Sequence, residues 1–215
     1  MPFKDRTEAG RKLALALRKF KGREVVVLAL PRGGVPVAAE VAAALHAPLD
    51  LILVRKIGVP MQPELAMGAV VDGADPHVVR NDDVIGLTGI SEREFAEIRD
   101  RELLEIERRR QKYLGNRARA EVARRVAIVI DDGIATGAPM RAALQAVRPR
   151  GPKRLGPTST LRELGKETDE IVCLEDYELF GAIGFYYRDF RQVDDQEVAD
   201  ILARFPANPS LQAAR

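Results

Sequence analysis

The 215-residue sequence has only one cysteine and two histidines. A single cysteine, Cys173, excludes an internal disulfide bond and a cysteine-rich metal site. Because Cys173 lies in the apolar run 171–174, which predicts a buried strand, we expect it to have a packing role. The histidines, His46 and His77, have no neighbours at metal-ligand spacing, so both are expected to be structural rather than catalytic.

Other familiar signatures are missing as well. The sequence has no G-x-S-x-G, G-x-G-x-x-G or G-x-x-x-x-G-K-[ST] motif, which disfavours an unrelated hydrolase or dehydrogenase. No apolar run approaches the roughly 20 residues of a membrane span. Residues 1–6 do not resemble a signal peptide, so we expect a cytoplasmic protein with no membrane partner.

The charges are nearly balanced, with 34 Lys and Arg residues against 32 Asp and Glu residues. A net charge of +2 does not by itself indicate a nucleic-acid partner. Arginine is nevertheless concentrated between residues 99 and 125. Ser91 and Glu94 form a predicted capping box that opens a helix to about Leu114, so most of these arginines are expected on a solvated helix face. An RNA-binding surface is the less favoured alternative.

Residues 126–140 are the most informative segment. The apolar run from Val126 to Ile130 is typical of a parallel strand buried on both faces, and it stops at Asp131 and Asp132. A loop and a predicted helix, 139–148, follow. The small residues of the loop and its one hydroxyl belong to Gly133, Ala135, Thr136, Gly137 and Ala138. Ligands of open α/β sheets bind beyond the carboxyl ends of such strands, so we expect a ligand at this loop.

The chemistry of the loop favours a phosphorylated ribose. Small residues let the backbone approach an anion closely, and the N-terminus of the next helix offers unpaired N–H groups to a phosphate. Two carboxylates would repel that phosphate, so they need another target. Ribose hydroxyls, which donate hydrogen bonds, fit the carboxylates. A Mg²⁺ ion also fits, because it favours one or two carboxylates together with phosphate oxygens.

A second predicted strand, 24–30, ends in the turn Pro31, Arg32, Gly33, Gly34. The guanidinium of Arg32 can bind phosphate oxygens in a bidentate manner. The two glycines permit unusual backbone conformations and expose N–H groups. Alone, such a turn is a weak signal, but beside the acidic loop it favours phosphate binding.

A third predicted strand, 50–54, ends in Arg55 and Lys56. Two cations at the carboxyl end of a strand could reach a pyrophosphate. They could equally be a solvated strand end before the turn at Gly58 and Pro60, and the residues alone leave both interpretations open.

The arrangement of residues 126–140 resembles the signature of the type I phosphoribosyltransferases, which is four apolar residues, two acids and a small, hydroxyl-rich loop. Members of this family use phosphoribosyl pyrophosphate (PRPP). The resemblance implies an open, mainly parallel α/β sheet flanked by helices. It also implies that Asp131 and Asp132 hold the ribose hydroxyls and, with Arg32, carry catalysis. A Mg²⁺ cofactor would be held mostly through PRPP, with the two aspartates as its protein ligands. Residues 60–69 resemble a segment of a subgroup of phosphoribosyltransferase-domain proteins.

The same resemblance assigns the two anion sites. The 5′-phosphate of PRPP would be bound by Gly133, Ala135, Thr136, Gly137, Ala138 and Pro139. Pyrophosphate would be bound by Arg32, Gly33, Gly34 and Lys56. In this family the loop corresponding to 30–35 often contains a cis peptide bond, and a homodimer is compatible with the fold.

The resemblance implies one domain, 1–205, with a helical insertion at about 82–120, a hood at about 155–205 and a tail at 206–215. The other predicted elements are helices 6–20, 36–46, near 160–166 and 195–204, a hairpin across 67–71 and 77–80, and a strand at 170–174. Asp5 with Glu8, and Asp194 with Glu197, are expected to cap the first and last helices.

Three features depart from the family pattern. Pro139 stands where a phosphate-binding hydroxyl is usual, and it removes a hydroxyl and an N–H donor. Ala135 replaces an acid that some purine-specific members carry, so this loop supplies no general acid or base. The segment 148–157 is rich in proline, glycine and cations, so the core strand expected after helix 139–148 is predicted to be missing.

The favoured function is Mg²⁺-dependent transfer of phosphoribose from PRPP to a nitrogenous base, with release of pyrophosphate. The alternative is a non-catalytic PRPP- or nucleotide-binding regulator that contacts RNA or DNA through residues 99–125. The acceptor base cannot be inferred. Aromatic side chains that could stack on a base, or simply pack in the core, are Tyr177, Phe180, Phe185, Tyr186 and Tyr187. Asp189, Asp194 and Asp195 could recognise an amine.

Overall fold

The computed structural model describes residues 2–73, 76–133, 137–157, 168–174 and 183–205, without the side chains of 154–157. The predicted helix near 160–166 and the tail 206–215 lie outside the described residues, as do Ala135, Thr136, Tyr177 and Phe180. Among the described helices, none is long and apolar enough to cross a membrane.

The helices and strands of the described part alternate along the chain. In order they are α1 (Arg6–Ala16), β1 (Val25–Ala29), α2 (Gly34–Leu45), β2 (Leu49–Leu51), β3 (Val54–Val59), β4 (Gln62–Val71), β5 (His77–Arg80), α3 (Asp82–Thr88), α4 (Glu92–Leu114), β6 (Val126–Ile130), α5 (Ala138–Val147), β7 (Arg154–Pro157) and α6 (Asp195–Ala203). Short 3₁₀ turns follow α1 and α5 and precede the hydrogen-bonded bridge at Tyr187.

A four-stranded parallel sheet, in the order β2-β1-β6-β7, forms the centre of the protein. Every residue of β1 and β6 is buried, as their unbroken apolar runs predict. Alternate residues of β1 pack into two hydrophobic clusters on opposite faces, Val27 into one and Val26 and Leu28 into the other. The expected α/β fold with a mainly parallel sheet and flanking helices is therefore confirmed.

The strand predicted to be missing after the helix at 139–148 is present. Strand β7 pairs with β6 in parallel, with Val126 opposite Arg154 and Val129 opposite Pro157. The prediction was wrong because it treated this segment as a central strand. Within the described sheet β7 lies at the edge, where a proline does not interrupt a second ladder.

The predicted strand 50–54 is divided between two sheets. Strand β2 ends at Leu51, and β3 begins at Val54 in a three-stranded antiparallel sheet of order β3-β4-β5. The predicted hairpin across 67–71 and 77–80 is confirmed as the pairing of β4 with β5. Arg55 and Lys56 therefore lie inside an antiparallel strand, and not at the carboxyl end of a parallel one.

The helical caps agree with the sequence. The side chain of Asp5 accepts the backbone N–H of Glu8 at 2.8 Å, and Asp194 does the same for Glu197 at 2.8 Å. Helix α4 begins with the expected capping box of Ser91 and Glu94. Helix α2 begins at Gly34, two residues earlier than predicted, so it starts directly at the glycine turn.

The strand predicted at 170–174 is not formed, since residues 170–174 have irregular backbone and Cys173 is exposed. The apolar side chains of residues 171–174 are explained by packing against the hydrophobic core. Val172 and Leu174 pack against one hydrophobic cluster and Ile171 against the other, so these side chains cover core edges without entering a sheet. The predicted packing role of Cys173 is wrong.

Candidate active site

The two loops singled out in the sequence leave the same edge of the parallel sheet side by side. Strands β1 and β6 are neighbours in parallel register, with Ala29 opposite Ile130. The backbone N–H of Leu30 donates to the carbonyl of Ile130 at 2.8 Å, which continues the ladder beyond the strand ends. The turn at Pro31–Gly34 and the acidic loop at Asp131 therefore begin next to each other.

The two glycines of the first turn are required by close packing against the acidic loop. A Cβ atom on Gly33 would lie 2.0 Å from Oδ2 of Asp132, and one on Gly34 would lie 2.7 Å from the carbonyl oxygen of Ile130. A larger residue at Gly34 would push the two loops apart, and one at Gly33 would displace the carboxylate of Asp132. The bond between Pro31 and Arg32 is a cis peptide, as the family resemblance implied.

Asp131 is the first acid after β6, and it is partly buried. Its Oδ1 accepts the backbone N–H of Asp132 at 2.9 Å. Desolvation by the surrounding protein raises the pKa of Asp131 well above its usual range, and the neighbouring charge of Asp132 acts in the same direction. The two carboxylates thus differ in environment, although they are adjacent in sequence.

Asp132 has a cationic partner that sequence analysis did not identify. Oδ2 of Asp132 accepts a hydrogen bond from Nε of Arg6 at 2.7 Å, and the two side chains are only 12% and 10% exposed. The hydroxyl of Tyr187 donates to the backbone carbonyl of Asp132 at 2.7 Å. Burial raises the pKa of Tyr187, so this hydroxyl stays protonated and remains a donor.

The N-terminal segment and residues 186–191 form a wall beside Asp132. The backbone N–H of Phe3 donates to the carbonyl of Tyr186 at 2.8 Å, and that of Arg188 donates to the carbonyl of Phe3 at 2.8 Å. A Cβ on Gly133 would lie 2.5 Å from a methyl carbon of Ile183, so the acidic loop also packs closely against this residue, which precedes the wall in sequence.

Arg32 is linked to α6 and, through Asp195, to α4. Its guanidinium lies 3.6 Å from Oδ1 of Asp195, at the start of α6. Asp195 also accepts hydrogen bonds from Lys112 and Tyr113, each at 2.6 Å. These two bonds lower the pKa of Asp195 to about 2. The interpretation of Asp195 as an amine-recognition residue is therefore replaced by an internal role.

The structure describes some of the remaining predicted site residues. Gly137 has a left-handed backbone with φ of 72° and caps α5, and Pro139 lies in the first turn of that helix. Ala135 and Thr136 lie outside the described residues. Nζ of Lys56 pairs with Glu64 at 3.1 Å across the β3–β4 hairpin. The assignment of Lys56 to pyrophosphate stays a prediction.

A family model described as phosphoribosyl transferase domain matches residues 5–173. The chain belongs to this family. The match includes both loops at the strand ends, so the family expected from residues 126–140 is confirmed.

Individual relatives agree with this assignment. Two Mycobacterium tuberculosis proteins with the provisional name phosphoribosyl transferase are 45% identical over 208 residues, which cover 94% of this chain and 46% of each relative. The chain thus spans about half the length of these curated relatives. The crystal structure of TT1426 from Thermus thermophilus is 40% identical, with a TM-score of 0.75, and the alignment covers 96% of this chain and 100% of that one.

The acidic pair of this phosphoribosyl transferase domain offers few protein ligands for a metal ion. Among the described residues, no group of three or more His, Cys, Asp or Glu side chains is arranged to hold a metal ion. One carboxylate oxygen of Asp132 already has a guanidinium partner. Carboxylate oxygens suit Mg²⁺, but here they fit it only if the bound ligand supplies most of the coordinating oxygens.

The arginine-rich stretch 99–125 of the domain has two parts. On α4, Glu105 accepts from Arg108 and Arg109 at 2.7 Å, which is the local pairing expected of a solvated helix face. The arginines that follow α4 lie outside that helix face, and two of them have partners in distant parts of the chain. Arg119 pairs with the buried Asp72, and Arg117 donates to the backbone carbonyls of Leu49 and Leu202. These arginines hold together parts of the chain that are distant in sequence.

Proposed function

We propose that this chain transfers phosphoribose from PRPP to a nitrogenous base, with Mg²⁺ as cofactor and release of pyrophosphate. One observation carries the proposal most directly. The acidic loop after β6 and the glycine turn after β1 lie side by side at the carboxyl end of a parallel sheet, where ligands of such sheets bind. The proposal concerns the domain described here, which is about half of its curated relatives.

Each part of the site has a chemical task in this proposal. The carboxylates of Asp131 and Asp132 accept hydrogen bonds from the ribose hydroxyls. The loop 133–139 and the N-terminus of α5 bind the 5′-phosphate through backbone N–H groups. Arg32 and the N–H groups of Gly33 and Gly34 bind the pyrophosphate group. Lys56 is assigned there as well, on family resemblance.

The reaction is a displacement at the anomeric carbon of the ribose. A nitrogen of the base forms a bond to this carbon while the bond to pyrophosphate breaks and its electron pair leaves with the pyrophosphate oxygen. Positive charge develops on the ribose ring, and the adjacent carboxylates stabilise it. Most of the work of the protein is therefore positioning and charge stabilisation. Bound through PRPP oxygens, Mg²⁺ would offset the negative charge of the leaving group.

Pro139 departs from the family pattern, and we expect it to lower the affinity of the proposed site for phosphate. Proline is compatible with the first turn of α5, but it offers neither a hydroxyl nor an N–H group to the phosphate. We therefore expect Pro139→Ser to bind ribose 5-phosphate more tightly than the unchanged protein. Calorimetry with ribose 5-phosphate measures this difference directly.

The proposal is tested with isotope-labelled PRPP, Mg²⁺ and a panel of purine and pyrimidine bases. Pyrophosphate release that depends on one base identifies both the activity and the acceptor. In parallel, the variant with Asp131→Asn and Asp132→Asn is expected to lose the thermal protection that PRPP gives the unchanged protein. Protection that persists in the double variant would contradict the ribose assignment.

The regulator alternative receives less support from the charge distribution. Arginines that could have formed a nucleic-acid surface pair instead with acids or backbone carbonyls of the same chain, as Arg108, Arg109 and Arg119 do. PRPP binding without turnover for any base, together with salt-sensitive RNA binding, would nevertheless favour it over the enzyme.

A further inference from the structure

We propose that Arg6 is a positioning residue of the ribose site, and that its ion pair holds the carboxylate of Asp132 in place for the ribose hydroxyls. This inference rests on the proposed function, because it assigns a role to a residue within the same site. Neither the acidic loop nor the glycine turn includes Arg6, which is 126 residues from Asp132 in sequence.

The position of Arg6 in its own helix is unfavourable for a cation. Arg6 is the first residue of α1, where the positive end of the helix dipole opposes a positive charge. Burying the side chain removes it from water as well, and Arg6 is only 9% exposed. The local structure therefore disfavours an arginine at position 6. Its contacts with the rest of the molecule must offset the unfavourable helix dipole and the loss of hydration.

Those contacts hold the guanidinium on several sides. Nε donates to Oδ2 of Asp132 at 2.7 Å, and a terminal nitrogen donates to the backbone carbonyl of Arg191 at 2.8 Å. The guanidinium carbon lies 4.0 Å from the ring centroid of Phe190, and the Phe190 ring stacks on that of Tyr187. A cation fixed in this way gives the carboxylate of Asp132 one defined orientation.

This orientation matters for the ribose in particular. One oxygen of Asp132 is occupied by Arg6, so the lone pairs that remain on the carboxylate can be directed at hydroxyl donors of the ligand. Without the guanidinium of Arg6, the side chain of Asp132 can rotate. Ligand binding must then restrict this rotation, and the lost conformational entropy lowers the affinity. In the proposed site, pyrophosphate is bound by Arg32 and the glycine turn, so its affinity should depend little on Arg6.

The test compares two ligands on the same variants. The affinities of PRPP and of inorganic pyrophosphate, both with Mg²⁺, are measured by calorimetry for the unchanged protein, Arg6→Gln and Arg6→Lys. We expect Arg6→Gln to weaken PRPP binding about tenfold and pyrophosphate binding by less than about threefold. Arg6→Lys keeps the charge and should recover part of the PRPP affinity.

Arg11→Gln is the matched control, because it removes an exposed guanidinium of the same helix, paired with Glu40 at 3.1 Å, and does not touch the acidic loop. It should leave the ratio of PRPP to pyrophosphate affinity unchanged.

Equal weakening of both ligands in Arg6→Gln would overturn the inference, since Arg6 would then be a general anion attractor or a support of the fold. The same change of ratio in Arg11→Gln would overturn it too. If Arg6→Gln does not fold, Arg6→Lys decides, because an unchanged ratio in that variant excludes a role for the Nε geometry. No PRPP binding to the unchanged protein would instead refute the proposed function, and the inference with it.

Discussion

The two sheets of this protein are held in place by different interactions. In the parallel sheet, β1 and β6 are buried along their whole length, and apolar contacts on both faces position them. In the antiparallel sheet, β5 is only partly buried and β4 is exposed at its start. Its junction with the rest of the protein depends on charged groups, because Asp72 accepts hydrogen bonds from the backbone N–H of Leu53 and from Arg119. Apolar burial therefore dominates in the first sheet, whereas a buried charge and its hydrogen bonds tie the second sheet to the rest of the protein.

The largest expected effect is at this junction. Asp72→Ala should lower the free energy of unfolding by about 3 kcal/mol, because Arg119 and the N–H of Leu53 lose a buried acceptor. Urea unfolding followed by circular dichroism measures the change. Asp100→Ala is the control, since Asp100 is exposed in its pair with Arg99 and should change stability by less than about 0.5 kcal/mol. Similar losses in the two variants would mean that burial of the junction charge is unimportant.

A smaller effect is expected where the parallel sheet meets its loops. Gly34→Ala places a methyl group 2.7 Å from the carbonyl oxygen of Ile130 and 3.0 Å from Cα of Asp131, so the backbone has to move. We expect a loss of about 2 kcal/mol in unfolding free energy. Gly86→Ala, in α3, meets no atom within 4 Å and should stabilise the protein by up to about 1 kcal/mol. Thermal unfolding measures both variants. A loss of stability in Gly34→Ala alone indicates close packing at Gly34, whereas a loss in both variants would mean that the protein tolerates alanine at neither glycine.

The contact of α4 with α6 should give a pH-dependent effect. The pKa of Asp195 is lowered to about 2 by Lys112 and Tyr113, below the value of about 3.9 expected in the unfolded chain. Its stabilising contribution is therefore complete above pH of about 4 and is lost as the pH falls toward 2. Because Asp195 is partly exposed, we expect Asp195→Asn to cost only about 1 kcal/mol at neutral pH.

Urea titrations at neutral pH and at two acidic values test this expectation. The difference between the unchanged protein and Asp195→Asn should shrink as the solution is acidified below pH of about 4. Asp200→Asn, on the exposed side of the same helix, should show no such trend. A difference that stays constant with pH would show that Asp195 stabilises the contact by means other than its charge.

The sequence predicted those parts of the molecule in which neighbours in space are also neighbours in sequence. The run 126–132 contains its own strand and acids, and the turn after β1 supplies its own glycines. Arg6 could not be found in this way, because its partner lies 126 residues away. Its one local sign was a cation at the first turn of a helix, which the helix dipole disfavours. Strand β7 was missed because composition does not distinguish an edge strand from a loop.

The smallest stability effects are expected at Lys56 and Glu64, on the exposed β3–β4 hairpin. The Glu64 side chain is almost fully exposed, so Glu64→Gln and Lys56→Met should each change the unfolding free energy by less than about 0.5 kcal/mol. Ligand binding separates the two residues. If Lys56 contacts pyrophosphate, Lys56→Met weakens pyrophosphate binding severalfold, whereas Glu64→Gln leaves it unchanged or strengthens it by releasing the ammonium group. Equal affinities for all three proteins would remove Lys56 from the proposed site and leave Arg32 as its assigned cation. Because neither substitution affects folding, calorimetry with pyrophosphate gives an answer that depends on the site alone.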